Sequence, residues 1–510
     1  MSAPRLNSIV LVGRDCELWL AVIALAQALT PAGVSITAVE LPSRLAPSDI
    51  HASLPQLETL HARLGIERDE LLGITGGSLS LGQNFVIGSQ RPSDFFHSWG
   101  VLGRPIDGHD FLHCWLRASA AGSSVGLRNF SLPAEAARHG RILLDEDASA
   151  AVGHGGDGYH LLAIAYAACL KSLAARRGVI IRQTTALRVE QDGDGHICAL
   201  ALEGADRVAG ELFVDASGEE ALLIGGALRS TRLPWPQTFG ADRVLTGLAP
   251  PFTMTPPFAE IRIGASGWTA LHPTPSATGI LHAFRGEITS DARAAEAASA
   301  AAGARLRHVA IRPIHSGVRN ESWVGNCVAI GTAAARLDPL HDLDLHVLQL
   351  GIVHLISLFP AGETFEAERA EYNRSVRSHL ERLRDFQGAF YALAPRLGKF
   401  WPDDAQSLSG TLEHTLATFR ASAYLPPHEH ESLLPDSWHA CLLGLGLRPE
   451  RWPATTDRLP ASRLREEIDR MLVSIRAKVL VQPTHHAYLK TLRGHHPPLA
   501  SAAALARLHA

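Results

Sequence analysis

The start of the chain combines residue types that suit a dinucleotide cofactor. Residues 8–12 are an apolar run typical of a buried parallel strand, Gly13 begins a turn, and residues 17–30 have the pattern of an apolar helix. A second strand is predicted over residues 35–40 and ends at Glu40. In dinucleotide-binding folds, an acid about 20 residues beyond the glycine turn bonds a ribose hydroxyl. The sequence therefore predicts a βαβ unit that could bind a cofactor at the ends of its strands. Glu40 is equally well explained as a solvated acid at a strand end.

Histidine and cysteine side chains offer metal-ligand chemistry, but their spacing matches no metal motif. The 26 histidines include the close groups 428–430, 485–486 and 495–496, which chance produces at this frequency. The six cysteines are scattered without a CxxC pair, which argues against a disulfide framework or a structural zinc site. No GxSxG elbow supports Ser-His-Asp catalysis. We therefore predict no metal site.

Composition excludes several classes of partner. Of the 510 residues, 46% are apolar and 19% charged, and the net charge of −4 leaves no basic surplus for nucleic acid. Arg14, Asp15 and Glu17 interrupt the N-terminal apolar run, unlike a secretory signal. The apolar stretch at 347–359 is too short to cross a bilayer. The chain is therefore predicted to be cytoplasmic, with no nucleic-acid or membrane partner.

The rest of the pattern alternates helices and strands before becoming mostly helical from about residue 345. Helices are predicted over 54–64, 160–177 and 291–304, a strand over 211–218, sheet with loops over 225–290, and a strand, glycine turn and helix over 324–335. The last dozen residues are an alanine-rich tail.

Six segments, in this order along the chain, resemble the flavin-dependent tryptophan halogenases. They are DIHASLP at 49–55 (the family's VGEATxP loop), DFFHSWG at 94–100, GWTALHP at 267–273 (its WxWxIP motif), AEYNRSVRSHLERLRDFQGAFY at 370–391, SWHACLLGLGLRP at 437–449 and PTHHAYL at 483–489. The resemblance covers nearly the whole chain and is stronger evidence for the fold than for an activity.

The resemblance implies an α/β fold in two regions. Residues 1–345 would form an FAD-binding, Rossmann-like region of the flavoprotein monooxygenase type, with interleaved sheet segments on the substrate side. Residues 346–510 would form a mostly helical region packed on it. The family's cofactor is FAD, and its flavin peroxide oxidises halide to hypohalous acid, which a lysine beside the indole then directs.

The positions that would bind FAD are only partly retained. The family's GxGxxG turn falls on Gly13, Asp15 and Leu18, so two of its three glycines are replaced. Asp15 and Glu17 place negative charge where a helix N-terminus meets phosphate, and one such charge at about 5 Å costs roughly 3 kcal/mol. Asp15 could instead cap the helix. The other cofactor positions that the resemblance implies are Glu40, Ala52, Asp215, Gly218 and Gly331.

The positions that would carry out halogenation are replaced. Ser80 stands at the family's lysine, and His341 stands at the glutamate of its PLEST segment. Serine is short, neutral and a poor nucleophile without a base. Asp342 and Asp344 would repel a halide bound beside this segment.

The substrate wall is also changed. In the segment that matches WxWxIP, Trp268 and Pro273 are kept, but Ala270 replaces the second tryptophan. The resemblance implies that these rings separate the substrate from the flavin, so Ala270 is expected to leave the wall open.

Two interpretations follow. In the first, the chain is a divergent family member that does not halogenate, binds FAD weakly or not at all, and acts as a binding or accessory protein. In the second, it is an active FAD-dependent halogenase or monooxygenase with a rebuilt site for an indole or another aromatic substrate. The partners implied are a flavin reductase or an active halogenase paralogue, with an aromatic small molecule or a peptide as ligand.

Overall fold

The structure is an α/β fold with several sheets and a helical C-terminal part. The computed structural model describes residues 6–88, 93–144, 156–204, 206–235, 238–360, 362, 364–395, 397–401 and 408–495, so the alanine-rich tail lies outside the described residues. The described strands are, in chain order, β1 (Ser8–Gly13), β2 (Ser35–Glu40), β3 (Ile50–Ala52), β4 (Ser78–Ser80), β5 (Gly82–Ile87), β6 (Ser93–Ser98), β7 (Gly158–Leu162), β8 (Ile180–Gln183), β9 (Leu187–Gln191), β10 (Ile197–Leu202), β11 (Arg207–Ala209), β12 (Leu212–Ala216), β13 (Arg232–Pro234), β14 (Arg243–Ala249), β15 (Ala259–Gly264), β16 (Gly267–Pro273), β17 (Thr278–Phe284), β18 (Arg307–Pro313), β19 (Gly317–Arg319), β20 (Trp323–Val324), β21 (Cys327–Ala329) and β22 (Ala335–Arg336).

The described helices are also numbered in chain order. They are α1 (Asp15–Leu29), α2 (Gln56–Arg63), α3 (Arg68–Thr75), α4 (Phe111–Ala120), α5 (Leu132–Arg138), α6 (Ala163–Arg176), α7 (Asp291–Ala302), α8 (Asp344–Ser357), α9 (Glu366–Leu393), α10 (Gly410–Ser422), α11 (Pro435–Gly444), α12 (Ala461–Val481) and α13 (His485–His495).

The central sheet is six-stranded and mostly parallel. Its strands lie in the order β20-β21-β12-β1-β2-β8, and only the β20–β21 pair is antiparallel. The predicted βαβ unit is therefore confirmed as β1-α1-β2, and the strands predicted near 211–218 and 326–331 join the same sheet. In such sheets, ligands bind outside the carboxyl ends of the strands. Those ends carry the loops that begin at residues 13, 40, 216 and 329.

The described residues form four further sheets. A seven-stranded mixed sheet has the order β18-β14-β17-β16-β15-β5-β6, and β7 lies between β3 and β4 in a three-stranded antiparallel sheet. Two further three-stranded sheets have the orders β11-β10-β9 and β13-β19-β22.

One predicted helix begins later than expected, and another predicted helix is absent. The helix predicted over 160–177 begins only at Ala163, because residues 158–162 pair with β3 and β4 as strand β7. The helix predicted after Gly331 is absent: Gly331–Ala333 is a single 3-10 turn, and the next residues form β22, which pairs with β19. In both places strand pairing overrides a helix-like local sequence.

The C-terminal part is helical from Asp344 onward, apart from loops and a 3-10 turn, and one hydrophobic cluster spans it and the central sheet. This cluster contains Leu11 and Trp19 from the N-terminal unit together with Leu383 and Trp438 from the helices. A division of the chain near residue 345 therefore marks a change in secondary structure within a shared core.

Helix α1 is the most apolar of the described helices. The segment Asp15–Ala32 is long and apolar enough to cross a membrane by length and composition alone. Its side chains pack in the main hydrophobic cluster, with residues from Leu18 to Ala26 all buried. It is therefore accounted for as the core helix of the α/β unit.

Gly13 fixes the close approach between the ends of β1 and β12. A Cβ atom added at this position would lie less than 3.0 Å from the Ala216 carbonyl oxygen, and backbone cannot move aside cheaply. We predict that Gly13→Ala lowers the free energy of unfolding by about 2–3 kcal/mol, measured by urea denaturation. The control is Gly193→Ala, because an added Cβ there meets nothing within 4 Å. Equal stability of the two variants would contradict the prediction.

Candidate functional site

In the turn between β1 and α1, the backbone of Asp15 has a conformation usual for glycine. Asp15 has a φ of 55°, in the left-handed region that L side chains rarely adopt. Arg14 occupies the N-cap position and no side chain caps the helix. The Asp15 carboxylate instead accepts a hydrogen bond from the Arg44 backbone N–H at 3.3 Å. The interpretation of Asp15 as the helix cap was therefore wrong.

The Glu17 carboxyl group, whose charge was expected to oppose phosphate binding, is held by Thr332. Its Oε1 accepts hydrogen bonds from the Thr332 N–H at 3.2 Å and the Thr332 hydroxyl at 2.8 Å. A Cβ added at Gly331, which has a φ of 56°, would lie 2.9 Å from the Glu17 carboxyl group. Glu17 thus bridges the first turn of α1 and the turn after β21, and fills the space between them.

The Glu17 carboxyl group is partly shielded from water. Its Oε2 is buried and has no hydrogen-bond partner, although the side chain as a whole is only half-buried. Burial raises the pKa of Glu17 to about 7, against the opposing effect of the Thr332 hydrogen bonds. Near neutral pH this group carries only part of a negative charge, so its main effect is to occupy space.

A cavity of about 620 Å³ lies beside the first turn and is lined by arginines. Its lining includes Arg14, Arg44 and Arg229 together with Glu220. Glu220 forms ion pairs with Arg14 at 3.1 Å and with Arg44 at 2.5 Å. Two of the three guanidinium groups therefore already have a carboxylate partner.

Glu40 is bound within the protein. Its carboxylate accepts hydrogen bonds from the Lys171 ammonium at 2.7 and 2.9 Å and from the Gln183 amide at 2.7 Å. These three residues line a second cavity of about 860 Å³ at the end of β2. The interpretation of Glu40 as a free, solvated acid is therefore wrong.

Asp215 and Gly218 shape the loop after β12. The buried Asp215 carboxylate accepts hydrogen bonds from the Ser217 N–H and hydroxyl at 3.0 and 2.6 Å, and from the N–H groups of Leu223 and Ile224 at 2.8 and 2.9 Å. Four donors satisfy both of its oxygens. Gly218 has a φ of 86° in the turn that results.

Ala52 lies in β3, where it pairs with His160 of β7. The neighbouring His51 contacts Cys16 of α1, with Nε2 and Sγ 3.2 Å apart. Burial raises the pKa of the Cys16 thiol well above its usual value and lowers the pKa of His51. The pair is therefore a neutral thiol and a neutral imidazole.

A second ion-pair group lies on the other side of Glu17. Arg336 forms an ion pair with Asp344 at 2.6 Å, and its Nε lies 3.5 Å from Glu219. Burial alone would lower the pKa of Arg336, but Asp344, Glu219 and Glu17 raise it above its usual value. Asp344 is therefore held by an arginine and does not face an open halide position.

Asp342 joins the three segments that would carry out halogenation. Its Oδ1 lies 3.1 Å from His272 Nε2, and its Oδ2 accepts a hydrogen bond from Gln83 at 2.6 Å. Burial acts to raise the pKa of Asp342, but the His272 imidazole, the neighbouring His160 and the Gln83 amide hold it below its usual value. This centre therefore contains a buried, ionised carboxylate.

Ser80 and His341 are both buried at this centre. The Ser80 hydroxyl donates to the Gly82 carbonyl at 3.1 Å. The His341 ring packs against Phe386 and Phe85, with ring centroids 4.8 and 5.5 Å apart. Neither ring nitrogen of His341 has a hydrogen-bond partner among the described residues. Among the described residues, no hydrogen bond joins the Ser80 hydroxyl to a base that would activate it.

The wall segment is closed. Trp268 is buried and donates to the Tyr391 hydroxyl at 3.0 Å, which in turn donates to Asp338 at 2.9 Å. Ala270 is only 2% exposed and belongs to the main hydrophobic cluster, and Pro273 ends the same strand. The opening expected at Ala270 is therefore not found, because the surrounding core packs up to the smaller side chain.

Sequence reasoning missed several residues of these two groups. They are Gln83, Lys171, Glu219, His272 and Arg336. His272 carried a signal, since a histidine replaces the isoleucine of WxWxIP two residues beyond Ala270. Gln83 lies in the segment aligned with the family's lysine, where only Ser80 was singled out, and the other three lie outside the aligned motifs.

The parallel sheet with its ligand edge and the adjoining mixed sheet form an FAD-binding, Rossmann-like fold of the flavoprotein type. The chain belongs to the tryptophan halogenase family, whose model matches residues 8–461. It is similar to tryptophan 7-halogenase RebH from Lentzea aerocolonigenes, with 23% identity over 540 residues, 96% of this chain and 99% of RebH.

Solved structures agree with this assignment. BrvH, a flavin-dependent halogenase from Brevundimonas sp. BAL3, has a TM-score of 0.89 and 28% identity over 96% of this chain and 99% of its own. Xcc4156, a flavin-dependent halogenase from Xanthomonas campestris, has a TM-score of 0.90 and 26% identity over the same shares of the two chains.

The raised pKa of Glu17 predicts a pH-dependent stability. The folded protein keeps a proton on Glu17 up to about pH 7, whereas the unfolded chain releases it near pH 4.5. The unfolded state thus binds fewer protons in this window, so stability falls as pH rises through it. Glu17→Gln keeps an oxygen for the Thr332 N–H and carries no charge, so we predict that it removes this fall.

The measurement is urea denaturation at about pH 5 and about pH 8. We expect Glu17→Gln to match the wild type at the lower pH and to exceed it by about 1–2 kcal/mol at the higher pH, a value reduced for partial exposure. Glu70→Gln, at an exposed acid in the first turn of α3, is the control. A gain that is the same at both pH values would contradict the assignment to Glu17.

Proposed function

We propose that this chain is a member of the tryptophan halogenase family that does not halogenate, binds FAD weakly or not at all, and acts in the cytoplasm as a binding or accessory protein. The observation that carries the proposal is the contact between Glu17 and Thr332. In dinucleotide folds, the cofactor passes over the first turn, between the helix N-terminus and the neighbouring loops. Glu17 fills that passage beside Gly331.

The residues at the cofactor positions do not fit FAD in the family's manner. Glu40 already accepts three hydrogen bonds from Lys171 and Gln183, so a ribose hydroxyl would have to compete with them. Asp215 has no oxygen left for a ligand, because four protein donors already satisfy it. Arg336 and Asp344 add a further ion pair near Glu17. A bound dinucleotide would therefore have to displace several protein contacts.

The second centre argues against halide chemistry independently. An ionised Asp342 about 5 Å from a halide would oppose its binding by roughly 3 kcal/mol at an effective dielectric of about 20. Ser80 lacks the ammonium group that would direct an oxidised halogen, and His341 replaces the carboxylate that would pair with a lysine. Burial lowers the pKa of His341 well below its usual value, so this ring stays neutral and does not supply a charge in place of the glutamate.

One observation favours the alternative function, an active FAD-dependent halogenase or monooxygenase acting on an indole or another aromatic substrate. The cavity of about 620 Å³ beside the first turn offers Arg14, Arg44 and Arg229, and arginines suit a diphosphate. Glu220 opposes this by neutralising two of the three. An FAD molecule bound in this cavity would not depend on the glycines of the family's turn.

A chain with an accessory role must bind a ligand or another protein. We propose an aromatic small molecule or a peptide as ligand, and a flavin reductase or an active halogenase paralogue as the protein partner. A paralogue whose bromination rate changes severalfold when this chain is added would support the role. Unchanged rates with every paralogue from the same genome would count against it.

The FAD prediction is a comparison of affinities. We expect the wild-type chain to bind FAD at least tenfold more weakly than a relative with an intact glycine turn. The measurement is the quenching of flavin fluorescence on binding. Asp15→Gly with Glu17→Ala removes the strained backbone and the side chain that fills the passage, and should tighten binding. Leu18 is left unchanged because it is fully buried, so Leu18→Gly would open a cavity in the core.

Glu70→Ala serves as the matched control, since it removes a distant exposed acid. Submicromolar binding of FAD by the wild type would overturn the proposal and favour the active enzyme. No change in the double variant, with its fold intact by circular dichroism, would show that Glu17 is not what closes the passage.

We predict that this chain does not brominate free tryptophan. Supplied with reduced flavin, oxygen and bromide, the wild type should leave free tryptophan unbrominated, and Ser80→Lys with His341→Glu should not restore the reaction, because Asp342 and the flavin passage are unchanged. Mass spectrometry of the indole products is the measurement. Bromination by the wild type would contradict the prediction, and a hydroxylated product would instead indicate a monooxygenase.

A further inference from the structure

Three ligand-type side chains from distant segments meet inside the core, outside the groove beside the first turn of α1, which contains the cavity lined by Arg14, Arg44 and Glu220. His97 lies on β6, His341 lies in the turn before α8, and Cys441 lies on α11. One ligand atom from each residue lies within 4.8 Å of the other two. All three side chains are buried, with exposures of 0%, 1% and 4%.

The two histidines lack the partners that buried imidazoles normally have. Both ring nitrogens of His97 and both of His341 are buried without a hydrogen bond from the described residues. A buried polar group left without a partner costs about 1–3 kcal/mol, and structures rarely keep four together. Such groups call for an occupant that the protein atoms themselves do not supply.

The helix that carries Cys441 is fixed closely against β6. A Cβ added at Gly444 would lie less than 3.0 Å from the ring of Phe95, so only glycine allows this approach. Cys441 is three residues before Gly444 on the same face of α11, and Trp438 is three residues earlier again. The thiol is therefore held toward the β6 side of the core by packing.

We propose that His97, His341 and Cys441 bind one thiophilic transition-metal ion through two imidazole nitrogens and one thiolate sulfur. Metal–nitrogen bonds of about 2.0 Å and a metal–sulfur bond of about 2.3 Å place ligand atoms roughly 3.3–3.8 Å apart. The ligand atoms already lie within 4.8 Å of one another, so binding requires them to approach by about 1 Å. The reaction is an exchange in which the thiol releases its proton to solvent as the metal–sulfur bond forms.

The surroundings favour monovalent copper over zinc. Phe386 lies 4.8 Å from the His341 ring and 5.6 Å from the His97 ring, so the walls offer hydrocarbon and no fourth ligand among the described residues. Cu⁺ accepts three ligands, whereas Zn²⁺ prefers four, and the described residues offer three.

The protonation states of the free ligands suit this role. Burial lowers the pKa of His97 to about 3 and that of His341 well below its usual value, so both rings are neutral and keep a lone pair for a metal. Burial also raises the pKa of the Cys441 thiol, so without a metal it is an unreactive thiol. A closed site of this kind stabilises the fold and leaves no position for a substrate.

The test is metal content and stability of the full chain. The protein is produced in medium supplemented with copper or with zinc, so that the buried site can load during folding, and is analysed by elemental mass spectrometry. We expect about one ion per chain, with copper retained against a chelator better than zinc, and X-ray absorption showing one sulfur and two nitrogen neighbours.

Cys441→Ala and His97→Phe should each lower the metal content at least tenfold. The controls are Cys114→Ala, at another buried free cysteine, and His282→Phe, at another buried histidine with an unpaired nitrogen; both should retain the ion. Loading should also raise the Tm of the wild type and of Cys114→Ala but not that of Cys441→Ala. Wild-type protein without metal under both conditions, or equal content in Cys441→Ala and Cys114→Ala, would overturn the proposal.

Discussion

The buried carboxylate of Asp215 organises the edge of the central sheet on which the groove depends. A buried carboxylate needs hydrogen-bond donors for its oxygens, and here Ser217 and two backbone N–H groups of residues 222–227 provide four hydrogen bonds. They fix the turn after β12, which carries Glu219 and Glu220. These two acids face arginines on both sides of the first turn, so the charge pattern of the groove follows from one buried aspartate.

Steric closure outweighs electrostatics in this groove. The ion pairs of Glu220 with Arg14 and Arg44 are partly exposed, and pairs of this kind contribute about 0–1 kcal/mol each. A strongly binding anion could displace them at modest cost. Glu17 is different, because its carboxyl group lies against the backbone of Gly331 with no room even for a methyl group. Moving it would break two hydrogen bonds to Thr332 and repack the first turn of α1.

The sequence predicted the parts of the fold that local pattern determines. The strand–turn–helix spacing of β1-α1-β2 was enough to place the parallel sheet, and the order of six segments was enough to indicate the family. The direction of Glu17 could not be predicted, because it depends on Thr332, more than 300 residues away. Similarly, the Asp342 centre joins Gln83, His272 and Asp342 by contacts that no spacing rule connects.

Three residues of these sites have strained backbone, and protein contacts offset the strain at only two of them. Asp15, His341 and Asp342 all have positive φ, a conformation that costs an L residue about 1–2 kcal/mol. Asp15 gains a hydrogen bond from Arg44, and Asp342 gains contacts with His272 and Gln83. His341 has the same strain and no hydrogen bond at either ring nitrogen. A phenylalanine in an unstrained turn would provide the same aromatic packing. The strained and unpaired imidazole of His341 is therefore best explained by a bond from its nitrogen to a ligand that is not protein.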